Sequence, residues 1–585
     1  MEDNFVSTAT MTNWQRLNVS ESEVKFRLSK RANKRFSTKK IIPVEYFFNK
    51  KNVVFVETIL DYVKVNSLNT KAVIYNVALN LLNRINIIHI NNSNNIFTNN
   101  TFLSEILNDF SQSVDDYLIS TPIPLEEYDF LGVLYQSLLN EGAKNCKGSY
   151  YTPRYILQDI IQYLNYDTKF LDPCCGTGSF LLAAADKIDN PNYIYGVDSD
   201  EIACFIAKIN LIIKYRNFEF KPNIYNTDFL SDCEDLGDER FDIIATNPPW
   251  GAKIDKMYKG IYPEILSGES YSYFIVKSEH FLKKTGRCVF LLPESILNVS
   301  VHKDVRKFIL NKFYIDSIRV FGRLFAGVLT NSVFLILNKE KLSDLIKIVS
   351  KDKTIFVHQD IYQNFDNYNF ALISNDDAAI INRLYSVKYT TLNNSLWALG
   401  IVTGNNKKHI LSSCESGAEK IYTGKNISKY FLTQADKFIK YDRENFQQAA
   451  ADNLYRTEEK LVYKFISKKL VFAYDNSSSL VLNSANVLIP QVKTHSIKTV
   501  LAFLNSEIFE YLYCKQFSDL KVLKSNLQQL PFPVLSVEQR ESLESLVNSY
   551  LEDRNVLHLK EIDDMIYKIF KCTNQEIMYI KNAIS

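Results

Sequence analysis

No run of about 18 or more uncharged apolar residues occurs in the 585-residue chain, which argues against a transmembrane helix and a membrane partner. The opening stretch, MEDNFVSTATMTNWQRLNVS, lacks the apolar core and small-residue cleavage site of a secretory signal. The 9 cysteines form no CxxC pair and the 7 histidines no HxxxH pair, so neither a disulfide frame nor a metal site is expected. Reduced thiols and a cytoplasmic setting are expected instead. A surplus of charge is missing as well. The 68 basic and 66 acidic residues leave a net charge of +2, which neither demands nor excludes a nucleic-acid partner. What the chain does have is 46% hydrophobic residues, including 35 Tyr and 38 Phe, enough apolar surface to argue against large-scale disorder. At about 150 residues per domain, the length corresponds to roughly four domain-equivalents.

Charge is concentrated in one place. Within residues 25–40, KFRLSKRANKRFSTKK, 8 of 16 positions are Lys or Arg and none is acidic. Such a run is either a solvated helix or arm, or a segment that contacts phosphates. Residues 1–145 have apolar spacing of three and four, predicting a helical domain with an Asn-rich break at 90–100. From about 168, short β-rich runs (KFLDPC, YIYGVD, FDIIATNPP, CVFLLP, NSVFLIL) alternate with helical stretches. That alternation predicts βαβ units and a Rossmann-like, doubly wound α/β sheet across a domain of 146–345. Irregular short runs then predict a mixed α/β domain over 346–535, followed by a helical tail over 536–585.

Three strand ends in succession carry acidic residues. In FLDPCCGTGSF, Asp172 precedes a turn with Gly176 and Gly178, which lets a ligand approach the backbone. The dinucleotide fingerprint and the Walker A loop both fail here, because Gly178 is followed by SFLL and no GK[ST] follows. In YIYGVDSD, Asp198 lies 26 residues past Asp172 and is placed to accept ribose hydroxyls, with an N-cap of the next helix as the alternative. In NTDFL, Asp228 would accept from an adenine amino group and Phe229 would pack on the ring. The series describes a pocket for an adenosine-bearing ligand that has no pyrophosphate cradle.

A fourth strand ends in Asn247-Pro248-Pro249-Trp250. The prolines remove two backbone donors and stiffen the loop, leaving carbonyl acceptors beside the Asn247 side chain and a flat indole. This is a receptor for a planar amino group. The motifs GSYYTP (148–153), DPCCGTGSF, GVDSDE, NTDFL and NPPW, in this order, resemble the gamma arrangement of amino-methyltransferases. That group comprises DNA adenine-N6 methyltransferases of the TaqI type and modification subunits of type I systems. The resemblance covers about 128–340. It implies that Tyr151, Thr152, Pro153, Asp172, Gly176 and Gly178 surround S-adenosyl-L-methionine, with Asp198 on its ribose and Asp228 and Phe229 on its adenine. It also implies that Asn247 and the Pro248 carbonyl hold the target amine, that Trp250 stacks on the flipped base, and that Phe325 is a second aromatic against it. The expected chemistry is direct methyl transfer, so Cys174 and Cys175 are read as packing or loop residues.

Beyond the catalytic motifs, LGIVTGNN (399–406) and stretches as far as LQQLPFP (527–533) resemble the target-recognition domain of TaqI-like and Eco-type bifunctional enzymes. Asn405, Asn406, Lys407 and Lys408 are candidate contacts to bases or phosphates. Double-stranded DNA is the expected partner, in restriction-modification or epigenetic marking, and a separately encoded restriction endonuclease is a compatible second one. Residues 12–36 loosely suggest a helix-turn-helix, and Glu23-Val24-Lys25 lacks the companion residues of a nuclease centre. The alternatives are a protein-glutamine or RNA amino-methyltransferase, and a non-catalytic DNA-binding modification subunit.

Overall fold

The computed structural model describes residues 42–140, 152–231, 233–252, 257–324, 330–350, 353–517 and 521–584. Tyr151, Phe325 and the basic stretch 25–40, with the helix-turn-helix and Glu23-Val24-Lys25 readings, lie outside the described residues. Among the described residues, no helix is long and apolar enough to cross a membrane. The chain divides into two compact units between Phe370 and Ala371.

The first unit begins with α1 (Val53–Asn66), α2 (Thr70–Arg84), α3 (Thr101–Asp109) and α4 (Phe130–Leu138). Asn69, Asn100 and Asp129 cap α2, α3 and α4 by accepting from the backbone amides of Ala72, Leu103 and Gly132. The Asn-rich break folds into a short antiparallel pair, with His89 opposite Phe97. Helix α2 is buried from Val73 to Leu82, and the Asn80 Nδ2 within it donates to the Leu118 and Thr121 carbonyls at 2.7 and 2.8 Å.

The sheet comprises β1 (Phe170–Asp172), β2 (Ile194–Asp198), β3 (Asn223–Asn226), β4 (Phe241–Thr246), β5 (Leu282–Pro293), β6 (Tyr314–Gly322), β7 (Ser332–Asn338), β8 (Leu345–Ser350) and β9 (Lys353–His358). Its order is β9-β8-β6-β7-β5-β4-β1-β2-β3. Strand β7 runs antiparallel to both neighbours and β9 antiparallel to β8; the other pairs are parallel. Helices α5 (Arg154–Ile161), α6 (Ser179–Ala184), α7 (Glu201–Lys214), α8 (Ser270–Phe281) and α9 (Lys303–Lys312) accompany it. Strand order reverses between β1 and β4, and a sheet of this kind opens a crevice beyond the strand C-termini at that point.

Two expected boundaries need correction. The N-terminal helices are not a separate domain over 1–145: α1 to α4 share one hydrophobic core with α7 and the sheet, and Phe110 stacks on Phe205 at 3.9 Å. The catalytic fold does not stop at 345 either, because β8 and β9 extend the same sheet to His358.

The second unit starts with α10 (Asn375–Tyr385) and contains an antiparallel sheet of β10 (Leu396–Leu399), β11 (Lys460–Lys464), β12 (Phe472–Asp475) and β13 (Ala485–Ile489) in the order β10-β13-β11-β12. Helices α11 (Ile497–Asn505), α12 (Glu507–Gln516), α13 (Val537–Asp553), α14 (Val556–Ile569) and α15 (Asn574–Ile584) complete it. The helical tail is part of this unit: the Tyr511 and Tyr579 hydroxyls both donate to Asp377 Oδ1, at 2.9 and 3.1 Å.

Candidate active site

The turn after β1 forms the first wall of the crevice. Gly176 and Gly178 have φ of +52° and +96°, where a side chain would be strained. A Cβ at Gly176 would project into open space, so the backbone there is approachable. The Cys175 amide donates to the Val197 carbonyl at 2.9 Å, which ties the turn to β2. At the end of β2, Asp198 is bracketed by two backbone amides: Gly176 N donates to Oδ2 at 2.8 Å and Asp200 N to Oδ1 at 2.9 Å. Asp200 is the N-cap of α7, accepting from the Ile202 and Ala203 amides. The N-cap role therefore falls to Asp200, and Asp198 is held against the glycine turn.

Asp172 is buried at 1% exposure, and burial is the main reason its carboxyl is pushed up to about 7. The Thr246 hydroxyl and the Cys174 amide oppose that shift, while the charge of Asp198 reinforces it. Cys175 is buried and Cys174 partly so. Asp228 Oδ1 accepts from the Leu230 amide at 2.9 Å, and Oδ2 accepts from the Tyr258 hydroxyl. Phe229 corrects the sequence reading. It is 2% exposed and packs against Phe274 and Phe281, each at 5.7 Å between ring centroids, so it supports the strand end and offers no open face to an adenine.

The opposite wall is the loop after β4. Asn247 Nδ2 donates to Thr152 Oγ1 at 3.2 Å, joining two motifs that lie 95 residues apart. Thr152 and Pro153 lead into α5, for which Pro153 occupies the N-cap position. The Pro249 carbonyl accepts from the Ser270 hydroxyl, and Gly251 N donates to Glu269 Oε1 at 2.7 Å, so the start of α8 clamps the loop. Burial holds the Glu269 carboxyl above its ordinary value. The Trp250 indole N–H donates to the Leu291 carbonyl at 3.3 Å, which fixes the plane of the ring.

Sequence reasoning missed the groups behind the glycine turn. Asp129, Thr177 and Asn210 form a buried hydrogen-bonded cluster, and Tyr135 donates to Asp200 Oδ2 at 2.8 Å. An acidic residue before an apolar helix is a legible N-cap signal, yet its reach to Thr177 across 48 residues has no spacing signature. Tyr258 was missed for a similar reason.

Residues 126–394 match the N-6 DNA Methylase family, and residues 419–532 match the TaqI-like C-terminal specificity domain. Over 311 residues the chain is 34% identical to the type II methyltransferase M.VspI of a Vibrio strain, an alignment covering 51% of this chain and 75% of that one. The chain belongs to the N-6 DNA methylase family. Within that family it is also 26% identical to the type I restriction enzyme EcoEI methylase subunit of Escherichia coli, over 41% of this chain and 51% of that subunit. This N-6 DNA methylase thus spans about half the length of that subunit. Among solved structures, the type IIL restriction-modification enzyme MmeI in complex with DNA aligns with a TM-score of 0.65 at 13% identity, over 91% of this chain and 98% of that one. At that identity the likeness shows a shared fold.

Proposed function

We propose that this N-6 DNA methylase transfers a methyl group from S-adenosyl-L-methionine to N6 of an adenine flipped out of double-stranded DNA, at sites read by its C-terminal unit. The observation that supports this reading is the parallel pairing of β1 with β4, the strands that lead into the glycine turn and the Asn-Pro-Pro-Trp loop, together with the hydrogen bond from Asn247 to Thr152.

The residues of the glycine-turn wall fit the cofactor. The Gly176 backbone is open, and the Asp198 carboxylate, oriented by two backbone amides, would accept from the ribose hydroxyls. Asp228 would accept from the adenine amino group. Asp172 lies beside the turn, where a cationic ligand would favour its ionised form. When bound, the cofactor supplies an electrophilic methyl group on a sulfonium. Asn247 and the Pro248 carbonyl would accept both hydrogens of the target amine, directing its lone pair toward that methyl; Pro249 already accepts from Ser270. The Asn247 bond to Thr152 through Nδ2 sets which end of the amide carries the acceptor. Trp250, and Phe325 with it, would stack on the extrahelical base and offset the cost of unpairing it. Tyr151 would join Thr152 and Pro153 at the pocket edge.

The TaqI-like specificity match is the reason to assign target reading to the second unit. Asn405 to Lys408 form an exposed polar stretch at its entrance in sequence, suited to phosphate or base-edge contacts. A separately encoded restriction endonuclease is the compatible partner. The test is to incubate the full chain with duplex DNA and S-adenosyl-L-methionine, then analyse the nucleosides by mass spectrometry. N6-methyldeoxyadenosine is expected; modified cytosine alone, or no transfer, would overturn the reading.

A further inference from the structure

The cofactor wall has two parts whose position must be set, the glycine turn and the carboxylate of Asp198. Glycines with positive φ supply little stiffness of their own, so the position of this turn must come from what packs behind it. Helix α4 packs there and touches both ends of the Asp198 bracket.

At one end stands Asp129, the N-cap of α4, which is 6% exposed. Its Oδ2 accepts from the Thr177 hydroxyl at 3.1 Å, and its Oδ1 accepts from Gly132 N at 2.9 Å and from Asn210 Nδ2 at 2.7 Å. Asn210 Nδ2, on α7, also donates to the Thr177 carbonyl at 3.0 Å, so the residue between the two glycines is held through both its side chain and its backbone. The approach is possible only because residue 132 is glycine. A Cβ there would lie 2.2 Å from Asp129 Oδ2 and 2.5 Å from Thr177 Oγ1. At the other end, the Tyr135 hydroxyl donates to Asp200 Oδ2 at 2.8 Å. The same Asp200 gives its backbone N–H to Asp198 Oδ1 at 2.9 Å.

We infer that α4 is a positioning element of the cofactor pocket, in which Asp129 acts through Thr177 on the glycine turn and Tyr135 acts through Asp200 on Asp198. The inference rests on the proposed use of S-adenosyl-L-methionine. Neither residue is a catalytic residue, since neither touches the reacting atoms. An ordinary N-cap and an ordinary core tyrosine would stabilise the unit without altering how it binds its cofactor, and that difference is measurable.

The experiment uses the full chain with three substitutions: Tyr135→Phe, which removes one oxygen; Thr177→Val, which removes the hydroxyl at nearly constant shape; and Thr177→Ser, which restores it. Calorimetric titration with S-adenosyl-L-methionine gives Kd, and steady-state methylation of duplex DNA separates KM for the cofactor from kcat. Losing a buried hydrogen bond of this kind is expected to raise the cofactor Kd about fivefold or more in Tyr135→Phe and Thr177→Val. The kcat at saturating cofactor should stay within about twofold of wild type, the pattern of lost ground-state positioning. Thr177→Ser should recover most of the affinity. Wild-type Kd and KM in both deletion variants, with or without a lower melting temperature, would overturn the inference. Should Thr177→Val fail to fold, Tyr135→Phe carries the comparison alone. A wild-type chain that does not bind S-adenosyl-L-methionine would overturn the proposed function itself, an outcome distinct from equal binding by all the variants.

Discussion

Replacing Asn247 by Ala removes the side-chain acceptor from the target loop and leaves the Gly176–Asp198 bracket untouched. Methyl transfer is then expected to fall by about two orders of magnitude or more, the scale for losing a group that orients the reacting atom, while the cofactor Kd stays near wild type. Single-turnover kinetics alongside calorimetry separates the two effects. Asp198→Ala should do the reverse, weakening cofactor binding by about 1.5–3 kcal/mol, the range for a hydrogen bond to a charged group. Asp172 adds a pH dependence. Its carboxyl is raised to about 7 from an ordinary 3.8, so between those values the folded state holds a proton that the unfolded state has released. Stability should therefore fall as pH rises through that window and level off above 7, and Asp172→Asn should flatten this part of the thermal-unfolding profile. At this scale the acidic and glycine positions were legible in the sequence, because βα turns deliver strand-end residues to a single edge. Phe229 was not, since its ring turns into the core against Phe274, and neither was Asp129, whose partners lie 48 and 81 residues away.

Among the elements, regular strand–helix alternation made β1, β2, β4, β5 and β7 readable, and β3 through its acidic end. The extension of the sheet by β8 and β9 escaped because β9 is an edge strand whose residues are mostly exposed, with Lys353 and His358 at its ends and only the short run Ile355-Phe356-Val357 between. A chain truncated after 345 would lose two paired strands and should be insoluble, whereas one ending at Phe370 should fold, bind S-adenosyl-L-methionine and lose site-specific methylation. Calorimetry and methylation mapping on the longer fragment check this. The second unit holds a further element-scale feature that no pattern announced. Lys460 and Asp475 sit opposite each other on β11 and β12, 0% and 1% exposed, with Nζ and Oδ2 2.6 Å apart. Burial lowers the lysine's proton affinity and the facing carboxylate opposes that. Lys460→Met strands a buried carboxylate and should cost about 3–5 kcal/mol in chemical denaturation, and adding Asp475→Asn should recover part of the loss.

For the molecule as a whole, the proposed division of labour puts methyl transfer in the first unit and target reading in the second. The N-terminal helices serve the crevice by sharing its core, a role invisible in a sequence where they read only as amphipathic segments. The measurement that tests this most directly is base-resolved sequencing of DNA from cells expressing the full chain, beside cells expressing Asn247→Ala. The account predicts N6-methyladenine at one recurring sequence motif in the first sample and its loss in the second. Unmodified adenine in both samples, or the same modification persisting in the Asn247→Ala cells, would contradict it.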